Sequence, residues 1–232
     1  MSFTELSRVA YIAKIGTKKM SLAMAGFITA FAFLLESQVA TAALLNPSFE
    51  LPDINAEGFP TYRAGVPDNW THAGAPGNYI ISDGLEAPQH GGQFDEHSAD
   101  GLWQNTGIPL EIGATYTFSV FTKYSTATGG GSLNAQLLAA DDTSAFGTQF
   151  AIQPWSVTPS DTAWTSHSVS AIYTGAAGKF LTVNLGVVSG WGDFDNTSLI
   201  ITPVPEPASA MLMATCLIGL LRLRKGQRAL VK

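Results

Sequence analysis

The stretch Thr115–Ser125, TYTFSVFTKYS, sets Tyr116, Phe118 and Val120 against Thr115, Thr117 and Ser119. A period of two carried by aromatic and β-branched residues marks a half-buried strand, because successive side chains leave a strand on opposite faces. GSLNAQLLAAD (131–141) and SHSVSAIYTG (166–175) repeat the pattern more weakly. KFLTVNLGVVSG (179–190) sets Phe180, Thr182 and Asn184 against Leu181, Val183 and Leu185, and FDNTSLIIT (194–202) turns Leu199 and Ile201 one way. No segment between residues 43 and 202 sustains a helical period, and Gly, Asn, Asp and Pro clusters interrupt the strands at short intervals. The region therefore reads as an all-β sandwich. Residues 52–99 alternate least and read as long loops around one or two short strands.

Both ends of the 232-residue chain stand apart from this region. Arg8, Lys14, Lys18 and Lys19 precede an apolar run, Met20–Leu35, and small residues Ala40 and Ala42 bracket Thr41. Basic region, apolar stretch and A-x-A site are the three parts of a secretory signal peptide, with cleavage expected after Ala42. Residues 43–202, about 160 in number, suffice for one domain with a substantial core. They hold fifteen Asp and Glu against three Lys and Arg (Arg63, Lys123, Lys179), a balance of 3 − 15 = −12. So acidic a domain excludes nucleic acid as a partner, since phosphate neutralisation needs cationic side chains. The one cysteine, Cys216, lies beyond the domain, which must therefore be held by its core without disulfides.

A set of ordered motifs resembles the jelly-roll carbohydrate-binding modules of the galactose-binding-like type. They are LLNPSFE (44–50), PDNW (67–70), DGLWQ (100–104), IGATYTFSVFTK (112–123), AWTSHSVSAIY (163–173) and FDNTSLI (194–200). The resemblance implies two antiparallel sheets whose first and last strands meet, and a structural calcium at that junction. The matching carboxylates are Glu50 and Asp195, and calcium would need further oxygens from the main chain. Flat sugar faces stack on aromatic rings. The candidate platform residues are Trp155, Trp191, Trp103 and Tyr124, with Tyr79 as a further aromatic; Trp70 and Trp164 are expected to be structural. Catalysis has less support: HGGQFDEHSAD (90–100) gathers His90 and His97 with Asp95, Glu96 and Asp100, but without a fixed catalytic spacing it reads as a solvated loop.

After the domain comes TPVPEPASAMLMATCLIGLLRLRKGQR (202–228). A helix over the fourteen residues 208–221 covers about 21 Å, short of the roughly 30 Å hydrocarbon core of a bilayer. It is a marginal span, with Arg222 and Arg224 placed to snorkel and to stay cytoplasmic. Pro205, Glu206 and Pro207, the short apolar helix and the basic end together resemble the PEP-CTERM sorting signal of Gram-negative bacteria. The resemblance implies processing by an exosortase during export, after signal peptidase has acted, and delivery to the cell surface or extracellular matrix. The sequence thus predicts an exported, non-catalytic jelly-roll protein that binds or organises extracellular polysaccharide in a biofilm matrix. Two alternatives are a structural or adhesive protein without a sugar site, and a glycan-active hydrolase or lyase using an acid pair among Asp95, Glu96 and Asp100.

Overall fold

A computed structural model of the chain describes residues 40–42, 44–72, 78–98 and 101–204. These form eleven strands, every pairing antiparallel, and among the described residues there is no helix. The expected sorting segment from Pro205 onward, most of the export segment, and Asp100 lie outside the described residues.

In chain order the strands are β1 (Ala40–Ala42), β2 (Tyr62–Ala64), β3 (Thr71–His72), β4 (Asn78–Ser82), β5 (Gln93–Ser98) and β6 (Gly101–Pro109). They continue with β7 (Thr115–Lys123), β8 (Gly131–Ala140), β9 (Thr148–Ser156), β10 (Thr165–Ile172) and β11 (Phe180–Thr202). Strand β11 serves two sheets. Its N-terminal half lies between β6 and β8 in a second sheet ordered β3-β6-β11-β8-β9. Its C-terminal half lies between β7 and β5 in a first sheet ordered β10-β7-β11-β5-β4-β2, and β1 pairs with its end at Leu199–Ile201. This is a two-sheet sandwich, all-β as the alternation predicts and jelly-roll as the resemblance implies; the opening motif LLNPSFE forms no strand, and the strand beside the end of β11 is β1, from the segment expected to be cleaved.

The core forms where the inner faces of the two sheets meet. Strand β7 buries Tyr116, Phe118 and Val120 and turns Thr115, Thr117 and Ser119 outward. Leu133, Ala135 and Leu137 of β8 and Leu181, Val183 and Leu185 of β11 complete the opposite wall. Burial of this apolar surface is the main driving force for a disulfide-free domain, at about 25 cal/mol per Å² removed from water.

Three local expectations need correction. The region 52–99 holds four strands, β2 to β5, rather than one or two. The runs 179–190 and 194–202 join into the single strand β11, which turns the corner between sheets just past an irregularity at Val187–Ser189 and has a second one, within the first sheet, at Asp195–Ser198. HGGQFDEHSAD is not a solvated loop: its Gln93–Ser98 portion is β5, pairing with β4 and β11, and Gln93 through His97 are all buried. Adjacent residues on a strand face opposite ways, so Asp95 turns into the sandwich and Glu96 out of it. They do not form an acid pair.

Candidate functional site

One register row crosses the whole second sheet: Thr71, Trp103, Asn184, Gln136 and Ile152 stand directly opposite one another on β3, β6, β11, β8 and β9. Partners in such a row share a face. Trp103 alternates with the buried Leu102 and Gln104, which places the row on the outer face. The neighbouring row reads Gly101, Gly186, Asn134 and Pro154. Neither row contains a charged residue.

The amides of these rows are recessed. Asn184 Nδ2 donates to Gln136 Oε1 at 3.1 Å. Asn184 Oδ1 and Asn134 Oδ1 are buried and meet no hydrogen-bond donor among the described residues. Gly101 and Gly186 are paired across the strands, and a Cβ at either position would overlap the amide of Asn184 or Asn134 respectively. Glycine is thus what admits the two amides. Beside them, Asn105 Nδ2 donates to the carbonyls of Asp142 and Ala145 and to Thr182 Oγ1. These bonds tie down the turn that carries Phe146, whose ring meets Trp103 edge-on at 5.7 Å. A buried polar atom without a partner costs free energy comparable to a lost hydrogen bond. The two free amide oxygens therefore call for donors, and Gln136 and Asn184 supply both donors and acceptors to any hydroxyl placed over them.

The four expected platform residues do not converge. Trp103 belongs to this face. Trp155 stands opposite the core residue Leu133, so its ring turns inward rather than to solvent. It closes the sandwich edge by stacking on His167 at 4.4 Å and donating from Nε1 to Thr122 Oγ1. Tyr124 is half-buried and packs against the core. Trp191 lies on the outer face of the first sheet, half-buried and stacked on Tyr79 with ring centroids 5.8 Å apart. Trp70 is in the core, as expected, with Nε1 donating to the Asn46 carbonyl. Trp164 is half-buried and donates to the Ala87 carbonyl. The sequence-based reading missed Asn134, Gln136 and Asn184. Their period-two spacing within β8 and β11 was the available signal, but the register that aligns them with Trp103 is set by tertiary structure.

Glu50 and Asp195 are brought to opposite sides of one loop. Asp195 Oδ2 accepts the backbone N–H groups of Gln89 and His90, at 2.8 and 2.9 Å, and its Oδ1 accepts that of Asn196. Glu50 accepts the N–H groups of Gly92 and Gln93. Burial pushes the Asp195 carboxyl up to about 7 against the pull of those amides, and the Glu50 charge adds to the rise. Both carboxylates are thus held by main-chain N–H donors, and among the described residues no third metal-ligating side chain converges on them; a hard cation here would need most of its oxygens from the main chain.

No protein-family model matches the chain, and no curated protein matches it. Solved structures do. A cyclase, FisC, from Fischerella sp. TAU superposes with a TM-score of 0.58 at 18% identity, over 72% of this chain and 100% of that one. An arabinose-bound GH51 α-L-arabinofuranosidase gives a TM-score of 0.51 at 16% identity, over 72% of this chain but only 27% of that one. The xylan-binding CBM22-1 domain from Paenibacillus barcinonensis gives 0.46 at 14% identity, over 62% of this chain and 94% of that domain. At these identities, the first two likenesses establish the jelly-roll fold and nothing of ligand or activity.

Proposed function

We propose that this is an exported, surface-sorted, non-catalytic protein that binds extracellular polysaccharide on the outer face of its second sheet. The observation that carries the reading is the pair of buried amide oxygens, on Asn134 and Asn184, left without donors among the described residues in two adjacent uncharged rows beside Trp103. Sugar hydroxyls are the donors such a row lacks, and the Trp103 and Phe146 rings offer apolar surface to pyranose faces. A neutral glycan, whose hydroxyls both donate and accept, suits an amide row without charges. Screening the purified chain on a glycan array tests this. Binding should appear for at least one neutral polysaccharide and fall about tenfold or more in Trp103→Ala and Asn184→Ala. No binding to any glycan, with the fold intact by circular dichroism, sinks the reading in favour of a structural or adhesive protein.

Export and sorting rest on the sequence: the signal-peptide pattern ending at Ala42, and Pro205, Glu206 and Pro207 ahead of the apolar run and Arg222 and Arg224. The partners are signal peptidase and an exosortase. Glu206→Ala should remain unprocessed in the native host, and normal processing of that variant would remove the sorting proposal. Calcium at Glu50 and Asp195 is proposed as structural, clamping the loop of residues 89–93 between the first and last parts of the domain. Calcium added to chelator-treated protein should raise the melting temperature, and Asp195→Asn should abolish the gain.

One observation favours a second reading, a glycan-active hydrolase or lyase: Glu96 and Asp193 are buried together on the first sheet. Release of new reducing ends or unsaturated products from a bound polysaccharide, lost in Asp193→Asn, would establish the enzyme.

A further inference from the structure

A second row, on the outer face of the first sheet, runs through Tyr79, Glu96, Asp193 and Lys123 on β4, β5, β11 and β7. It differs from the amide row in being charged, and its charges do not balance. The Lys123 ammonium is committed elsewhere. It pairs with Glu86 Oε2 at 2.8 Å, donates to the Ala87 carbonyl, and lies over the rings of Phe94 and Trp164 at 4.7 and 4.9 Å. That leaves Glu96 and Asp193 side by side. Asp193 is 1% exposed, and neither of its oxygens meets a donor among the described residues. The group directly opposite it on β5 is another carboxylate, Glu96. Like charges directly opposite across strands are unfavourable.

Aromatic rings adjoin this pair. Tyr79 is directly opposite Glu96, and Trp191 is two residues before Asp193 on the same face. The two rings stack at 29°, both half-exposed, and the exposed Tyr62 meets Tyr79 edge-on at 5.7 Å. We infer that this face carries a second binding site, for a glycan with free amino groups: a pyranose ring rests against Trp191 and Tyr79 while its ammonium enters between Glu96 and Asp193. Aromatic faces joined to a carboxylate are how proteins hold organic cations. A metal ion suits the place less. Among the described residues no group of three or more metal-ligating side chains converges, and hard cations need many oxygens. Thr128 Oγ1, from the turn after β7, now donates to Glu96 Oε2 at 2.8 Å. An entering ammonium replaces that donor for Glu96 and supplies the missing donor to Asp193. The domain's balance of −12 draws a cationic chain toward it.

Titration calorimetry on the full chain in detergent tests this, using a glucosamine hexamer, the same hexamer fully N-acetylated, and spermidine as an ammonium without a ring. The glucosamine hexamer should bind at least about tenfold tighter than either comparison ligand. Asp193→Asn, which removes the charge at nearly constant shape, should erase that preference, and Trp103→Ala should leave it intact. Measured in Trp103→Ala, so that the amide row does not contribute, equal affinity for the two hexamers, equal affinity for spermidine, or no binding at all overturns the inference. So does a preference that survives Asp193→Asn, or one lost in Trp103→Ala. The neutral-glycan reading stands or falls separately, on neutral polysaccharides and on Trp103.

Discussion

Asp195 shows what burial does to a single carboxyl. Its folded value near 7 lies above the roughly 3.9 of an unfolded aspartate. Below about pH 4 both states hold the proton and the group adds no pH dependence. Between about pH 4 and pH 7 the unfolded chain ionises while the folded one does not, so stability falls as pH rises, and above 7 the loss is complete. A shift of about three units corresponds to a loss on the order of 4 kcal/mol. Melting temperatures of calcium-free protein should therefore drop from pH 5 to pH 8, and the drop should be smaller in Asp195→Asn. Calcium bound as proposed would replace the proton and should flatten the same window. For Asp193 the expectation is a gain. Replacing a buried carboxyl that lacks a counter-cation with a neutral amide should raise stability by about 1 kcal/mol or more at pH 7, measured by urea denaturation. Unchanged or lower stability in Asp193→Asn would mean that Lys123 still compensates its charge.

The elements differ in how openly the sequence declares them. The alternation in TYTFSVFTKYS specifies β7 and its faces because one side is core and the other half-open. Strand β5 escaped recognition because QFDEHS is polar on both sides. Its inward His97 is buried with Asp95, Nδ1 to Oδ2 at 2.6 Å, and stacked on Phe194, so polarity there does not mean solvent. Strand β11 is buried without a break from Leu181 to Val187, since the core covers one face and the recessed amide row lies on the other. Two predictions belong at this scale. The proposed cleavage after Ala42 would remove β1, whose three residues pair with β11. A chain beginning at Ala43 should keep the sandwich and lose only about 1–2 kcal/mol, as expected for a three-residue edge pairing; wholesale unfolding of that chain would argue against cleavage there. Gly101→Ala should fold but push Asn184 out of its place, weakening neutral-glycan binding about tenfold or more on the same array.

At the scale of the whole molecule, the sandwich separates two unlike faces. The second sheet presents uncharged amides and Trp103; the first presents unbalanced carboxylates beside Tyr79 and Trp191. A matrix glycan in which acetylated and free amino sugars alternate along the chain would meet a suitable surface on each. Proteins holding separate stretches of one polymer should cross-link it. Mixing the protein with a partly de-N-acetylated glycan should raise light scattering, and either Trp103→Ala or Asp193→Asn should suppress the rise. Scattering that survives both substitutions would assign the cross-linking to other surfaces.

Residue pattern alone was enough for the all-β class, and the jelly-roll resemblance for placing Glu50 and Asp195 against one loop. Periodicity and chain order are local properties, and a disulfide-free domain must obey them to bury its core. Pairing register was beyond that reach. Each strand's alternation says which residues share a face, but not which residue of the next strand stands opposite. That second choice put Asn184 beside Trp103, turned Trp155 inward against Leu133, and set Asp193 against Glu96 rather than leaving Glu96 with its sequence neighbour Asp95. It depends on the corner in β11, which carries that strand from one sheet to the other, and on the paired glycines Gly101 and Gly186, which admit the recessed amides. Those are contacts between residues far apart in the chain, which no local pattern records.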